Sequence, residues 1–243
     1  MSNNLLKAPE ASLIIPAFNE AKARRNLEAT LTNAHLGLER EFGSNYELLL
    51  ADDGSSDATI DIARQNGASV LALPHKGKGA AVRAGILHSQ ARYRAFMDAD
   101  NSFRIDDVVS LIDKVSGPAD VAIATRHEGL DTIGPHASRT RAIFSKALAN
   151  VCEVITPTGV KDTQCGAKAF KGEVAQDLYG RSVIDGFAGD REVLHLAYKL
   201  GYSVVEQACH VTPQPGSKVR PLQDGVSIVR DAVRIRRRAA SQR

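Results

Sequence analysis

Short apolar runs alternate with longer amphipathic stretches through the first half of the chain. "SLIIPAF" carries no polar alternation, the pattern of a strand buried on both faces. A helix is predicted after it over residues 26–41. "YELLLA" reads as a second strand, closed by "DDGSSD", in which Asp57 is placed to cap the helix "ATIDIARQN" and Gly67 to stop it. "SVLALP" is a third strand, and "GKGAAVRAGILHSQ" a helix entered through glycines. "RAFMDA" is a fourth strand, "IDDVVSLIDKV" a helix with Asp106 and Asp107 at its start, and "DVAIAT" a fifth strand. This strand–helix rhythm predicts an α/β fold, with a mostly parallel sheet and helices on both faces.

The second half is less regular. A long helix is predicted over "SRTRAIFSKALANVCEVI", a strand at "CGAKAF", a helix at "REVLHLAYKLG" and a strand at "YSVVEQACHV". The turn-rich "TPQPGSK" leads to a last helix over residues 222–238. No repeat, low-complexity tract or linker interrupts the pattern, so residues 1–243 read as a single domain.

Composition narrows the function. With 43% hydrophobic residues, the 243-residue chain can bury a large core. A net charge of +3 is too mild to mark a nucleic-acid binder, so no nucleic-acid partner is expected. Cys152, Cys165 and Cys209 form no C-x-x-C pair, so neither a zinc site nor a disulfide framework is indicated, and a reducing cytoplasm fits. The seven histidines show no metal-ligand spacing. The first residues lack a signal-peptide pattern, and no apolar run reaches the ~18 residues of a membrane span. Any membrane contact is therefore expected to be peripheral.

Ligands of open α/β sheets bind beyond the carboxyl ends of the strands. Those ends carry "PAFNE", "DDGSSD", "PHKGKG" and "DAD". In the last, Asp98 and Asp100 are two residues apart in extended chain and point the same way. Side-by-side carboxylates repel unless a cation lies between them, and Mg²⁺ or Mn²⁺ takes one or two carboxylates together with phosphates and water. The pair reads as a metal clamp for a diphosphate; the other reading is a pair of caps for the helix that follows. The phosphate loop G-x-x-x-x-G-K-[ST] is absent, and "GKGAAV" lacks the third glycine of the dinucleotide fingerprint. A sugar nucleotidyltransferase would open with a glycine-rich basic loop after the first strand, which "PAFNE" is not.

The motifs "IIPAFNE", "LLLADDGSSD", "HKGKGAAVRAG" and "FMDAD", in this order, resemble family 2 glycosyltransferases of GT-A fold. "DTQCGAKAF" and "PGSKV" resemble the branch of that family that makes polyprenyl-phosphate sugars, the dolichyl-phosphate glucosyltransferases among them. The resemblance spans residues 11–238 and implies a nucleotide-sugar half (11–125), an acceptor half (126–220) and a basic C-terminal helix (221–243). It places Pro16, Phe18 and Glu20 at the nucleoside, Asp52 and Asp53 at base and ribose, Lys78 beside them, and Asp98 and Asp100 on Mg²⁺ or Mn²⁺. It sets Arg126 against the phosphates and Gln164 on the acceptor side. Ser102, Ala167, Gly189 and Arg191 depart from the branch's usual residues, and no tryptophan precedes "GSK".

The implied reaction is an inverting transfer of a hexose, glucose from UDP-glucose, to a polyprenyl phosphate. Mannosyl transfer from GDP-mannose, a soluble acceptor, and a nucleotide-sugar-binding protein without turnover stay open. A phosphate acceptor has a second pKa of about 6 and arrives largely ionised, so the protein must mainly hold it, a task for Arg126, Arg139 and Lys218. A hydroxyl acceptor needs a base, for which Asp190 is placed; Asp190 reads equally as a helix cap. In "VSIVRDAVRIRRRAASQR", Val226, Val229 and Val233 form one stripe with arginines beyond it. The segment is either a packing helix with a solvated tail or a contact for an anionic membrane.

Overall fold

The computed structural model describes residues 8–126, 150–212 and 221–240. Strand β1 (Ala11–Ala17) is buried along its whole length. Leu13 and Ile15 join one hydrophobic layer and Ile14 the other, because side chains alternate along a strand. Strand β2 (Tyr46–Asp52) divides the same way, with Leu48 and Leu50 against Leu49 and Ala51. Both faces must therefore be covered. Helices α1 (Arg24–Phe42), α2 (Thr59–Gln65) and α4 (Ile105–Ser116) supply Leu27, Leu31, Ile62 and Leu111 to one layer. Helices α3 (Lys78–His88), α5 (Gly172–Arg181) and α6 (Gly189–Leu200) supply Ile86, Leu178 and Leu194 to the other.

The remaining strands are β3 (Ser69–Ala72), β4 (Tyr93–Met97), β5 (Val121–Arg126), β6 (Ala167–Lys171) and β7 (Val204–Cys209). All seven form one sheet in the order β3-β2-β1-β4-β6-β5-β7. Only β6 among them is antiparallel to its neighbours, so the expected mostly parallel sheet is present. The sequence runs outward from β1 to β2 and β3 on one side and to β4 on the other, which makes β1/β4 the switch point where a crevice opens. Pairing of β1 with β4 stops at Ile14↔Phe96, whereas β1 and β2 pair on to Ala17↔Asp52. Pro16, which has no N–H to give, lies just past the end of the β4 ladder, where none is required.

Two elements differ from expectation. Helix α5 was not predicted: β6 ends at Lys171 and α5 begins at Gly172, so no turn signal separates them. Its apolar residues Val174, Ala175, Leu178 and Tyr179 nevertheless form one buried stripe. The C-terminal helix α7 (Pro221–Ala240) buries Ala232, Ile235 and Ala239, not the expected valine stripe. Val229 and Val233 are half-buried beside exposed Arg230, Arg234, Arg236, Arg237 and Arg238; the Val226 side chain lies outside the described residues. Of the long helix predicted over residues 138–155, the described part, 150–155, is helical.

Candidate active site

The chain leaves β4 through "DADN", and alternation turns Ala99 inward (7% exposed) while Asp98 and Asp100 remain half-buried. The turn is held from several sides. Thr30 Oγ1 of α1 donates to the Ala99 carbonyl at 3.1 Å. The Asp98 amide donates to the Gly166 carbonyl at 3.0 Å, and the Ser102 amide to Asp100 Oδ1 at 3.0 Å. Asn101 takes a left-handed φ of 59°, which asparagine tolerates. Asp106 and Asp107 occupy the first turn of α4, so Asp98 and Asp100 are not needed as its caps.

Gly166 is packed directly on the Asp98 carboxylate: a Cβ there would lie 2.0 Å from Oδ2. On the other side, Lys78 Nζ is 2.5 Å from Asp98 Oδ1. Burial raises the Asp98 pKa above the usual carboxylate value, and Asp190 and Asp100 raise it further, against the opposing pull of Lys78. Burial alone would lower Lys78; Asp98, Asp190 and Asp100 outweigh it and raise its pKa. Lys78, Asp98, Asp100 and Asp190 thus interact within one partly dry space. Among the described residues no group of three His, Cys, Asp or Glu side chains could hold a metal. Two hard carboxylate arms with the remaining positions left to phosphate and water suit Mg²⁺ or Mn²⁺.

Asp190 stands in the first turn of α6, two residues past the N-cap Ala188. Its side chain is 9% exposed, and Oδ1 is 3.3 Å from Nζ of Lys168, a lysine with no exposed surface. The sequence signals Lys168 only as a lysine between two alanines in a strand that is otherwise apolar, "CGAKAF". Arg191, next along the helix, is buried and bonded to the segment before β6. Its guanidinium donates to Glu153 Oε2 (3.2 Å) and the Thr156 carbonyl (3.1 Å), and so stitches the segment that leads to Gln164. Gln164 is exposed, two residues before Gly166. The Arg126 side chain, Arg139 and Lys218 lie outside the described residues.

At the end of β2, Asp52 and Asp53 are 1% and 3% exposed and serve as anchors for backbone. Asp52 Oδ2 accepts from the amides of Gly54 (3.1 Å) and Ser55 (2.9 Å), which leaves its buried Oδ1 without a protein partner. Asp53 accepts from the amides of Lys76 (2.9 Å) and Gly77 (2.9 Å), and so sets the turn that delivers Lys78. Gly77 has a φ of 122°, a conformation open to glycine. Asp53 Oδ2 is also 2.8 Å from Nδ1 of His75, whose ring stacks on Phe18 at 4.1 Å. His75 has no metal-ligand spacing in the sequence, and nothing there marks this contact. The half-buried Glu20 lies in a loop tied to the second strand end: its amide donates to Thr59 Oγ1, and the Ser56 amide to Asn19 Oδ1. Pro16, Phe18, Asp52, Asp53, Lys78, Asp98 and Asp100 therefore lie around the carboxyl ends of adjacent strands.

Residues 12–178 match the sequence pattern of the family described as glycosyl transferase family 2. The dolichyl-phosphate beta-glucosyltransferase of Dictyostelium discoideum is 30% identical, covering 93% of this chain and 73% of its own length. That of Drosophila melanogaster is 31% identical, with 91% and 73% covered. Glucosyl-3-phosphoglycerate synthase from Mycobacterium tuberculosis, crystallised with Mn²⁺, UDP and phosphoglyceric acid, superposes with a TM-score of 0.70 at 18% identity, over 95% of this chain and 78% of that one. This last likeness is one of fold, the GT-A arrangement that the strand order and the paired aspartates also describe. A family match over residues 12–178 and two relatives matched over 91–93% of the chain agree: the chain is a glycosyltransferase and belongs to glycosyl transferase family 2.

Proposed function

We propose that this protein transfers glucose from UDP-glucose to a polyprenyl phosphate, with inversion at the anomeric carbon. The observation that carries the reading is the match to dolichyl-phosphate beta-glucosyltransferases, which extends through the acceptor half to 91–93% of the chain. In this reading Phe18, Glu20, Asp52 and Asp53 shape the nucleoside end, and Lys78 faces the diphosphate. Asp98 and Asp100 would hold Mg²⁺ or Mn²⁺, which supplies charge neutralisation to the departing diphosphate. The neighbouring fold crystallised with Mn²⁺ and UDP supports that choice.

The nucleophile is a phosphate monoester, largely ionised near neutral pH because its second pKa is about 6. Arg126, Arg139 and Lys218 hold it. Asp190 lies on the sugar side, where a carboxylate accepts hydrogen bonds from sugar hydroxyls. It also favours the positive charge that develops on the ring in an oxocarbenium-like transition state. No helix among the described residues is long and apolar enough to cross a membrane. The chain meets its lipid from the surface, through the exposed arginines of α7, each worth about 1 kcal/mol near anionic lipid.

The test is transfer from UDP-glucose and from GDP-mannose, each with Mn²⁺, to a polyprenyl phosphate in vesicles or to phosphoglycerate in solution. Glucosyl lipid from UDP-glucose is the expected product. Glucosylation of phosphoglycerate alone would replace this reading with a hydroxyl acceptor and Asp190 as its base.

A further inference from the structure

The buried face of β6 carries a charge that the fold itself does not require. Lys168 lies in register with Phe96 of β4 and Ile123 of β5, in the layer that also holds Ile14 and Phe170. Its side chain has no exposed surface. An ammonium group in such a place is destabilising unless every donor is used, and a well-packed apolar side chain of similar volume is often as stable or more so. Lys168 uses its donors on the active site. Nζ donates to the Cys165 carbonyl at 2.7 Å, lies 3.3 Å from Asp190 Oδ1, and sits 5.2 Å from the centre of the Phe96 ring.

Both polar partners lead to reacting groups. Cys165 precedes Gly166, whose carbonyl takes the Asp98 amide and whose α-carbon backs the Asp98 carboxylate. Asp190 is within electrostatic reach of Lys78 and Asp98. One buried ammonium therefore joins the turn behind the first metal-clamp carboxylate to the carboxylate assigned to the sugar side. We propose that Lys168 is a positioning residue of the transfer reaction, holding Asp190 at a fixed place relative to Asp98 from beneath the site. It does not touch substrate, since it has no surface to offer. It acts through Asp190, so the inference rests on the role given to Asp190 above.

The test is a double-mutant cycle of Lys168→Met, Asp190→Asn and the two combined. It reads kcat and KM for UDP-glucose with polyprenyl phosphate, UDP affinity by calorimetry, and thermal unfolding. Lys168→Met is expected to lower kcat by about 10- to 100-fold, with KM and UDP affinity within about threefold of the parent. It should also lower the unfolding temperature, because Asp190 is left buried without its partner. The combined variant, with both charges gone, is expected to recover stability yet turn over no more slowly than Asp190→Asn. Should Lys168→Met fail to fold, that comparison decides alone. Losses that multiply in the combined variant would overturn the proposal, as would a Lys168→Met enzyme of normal kcat beside a slow Asp190→Asn. A fall in UDP affinity matching the fall in kcat would show a merely structural role. Normal turnover in Asp190→Asn would remove the role of Asp190 itself, and the proposal with it.

Discussion

Gly166→Ala puts the geometry of the metal clamp to a sharp test. The new Cβ would sit 2.0 Å from Asp98 Oδ2, 2.6 Å from Cγ and 3.2 Å from Oδ1. A carbon and an oxygen settle no closer than about 3.3 Å, so the carboxylate must retreat by about 1.3 Å. It cannot do so freely, because Lys78 holds Oδ1 at 2.5 Å and the Asp98 amide is bonded to Gly166 itself. A displacement of about 1 Å at a reacting group lowers the rate by about 100-fold. The fold should tolerate the change, since Gly166 is not among the left-handed glycines. Overpacking costs about 1–3 kcal/mol, offset in part by about 0.4–1 kcal/mol from a stiffer unfolded chain. The assay is transfer of radiolabelled glucose from UDP-glucose to polyprenyl phosphate across a Mn²⁺ titration, beside a thermal melt. The expected result is a melt lowered by no more than several degrees and a turnover about 100-fold lower, with more Mn²⁺ needed for half-maximal rate. Turnover within about threefold of the parent would refute the close packing of Gly166 on a working carboxylate.

Asp100→Asn should abolish metal-dependent turnover while the melt stays unchanged, because an amide oxygen can still accept the Ser102 amide; activity in that variant or in chelator would contradict the clamp. Replacing Arg230, Arg234 and Arg237 by Gln should weaken binding to anionic vesicles by roughly 100-fold, at about 1 kcal/mol each, and leave transfer in detergent intact. Deleting the helix is a poorer test, since it would also remove the buried Ala232, Ile235 and Ala239. His195 is buried with Nδ1 2.7 Å from the Pro157 carbonyl; burial lowers its pKa, and Lys199 and Arg191 add to that. The neutral ring's contribution to stability is then present above its unfolded pKa of about 6.5 and lost as pH falls from there through the lower folded value. Melting curves from about pH 7 to about pH 5 should therefore fall less steeply in His195→Gln, and an unchanged slope would sink the assignment.

The first half of the fold was legible because its signals are local. "SLIIPAF" and "YELLLA" are apolar on both faces, and the polar strand ends mark the crevice directly. The paired aspartates were legible for the same reason, their spacing being a property of one turn. Helix α5 was hidden because it follows β6 with no punctuation. The partners of the site residues were hidden because they are tertiary. Nothing near Asp53 in sequence says that its carboxylate holds the amides of Lys76 and Gly77, or that His75 will stack on Phe18. Likewise Asp190 and Lys168 are distant in sequence and meet only through the packing of α6 on the sheet. Arg191, a departure from the family's usual residue, acquires a reason only in the structure, where it braces Glu153 and Thr156.

The most direct measurement is the product formed from UDP-glucose and a polyprenyl phosphate in anionic vesicles with Mn²⁺, its anomeric configuration read by NMR. The expected result is a β-linked glucosyl phosphate lipid, formed only with metal and lost in Asp98→Asn. An α-linked product, metal-independent transfer, or no glucolipid from a protein that still binds UDP would contradict the account.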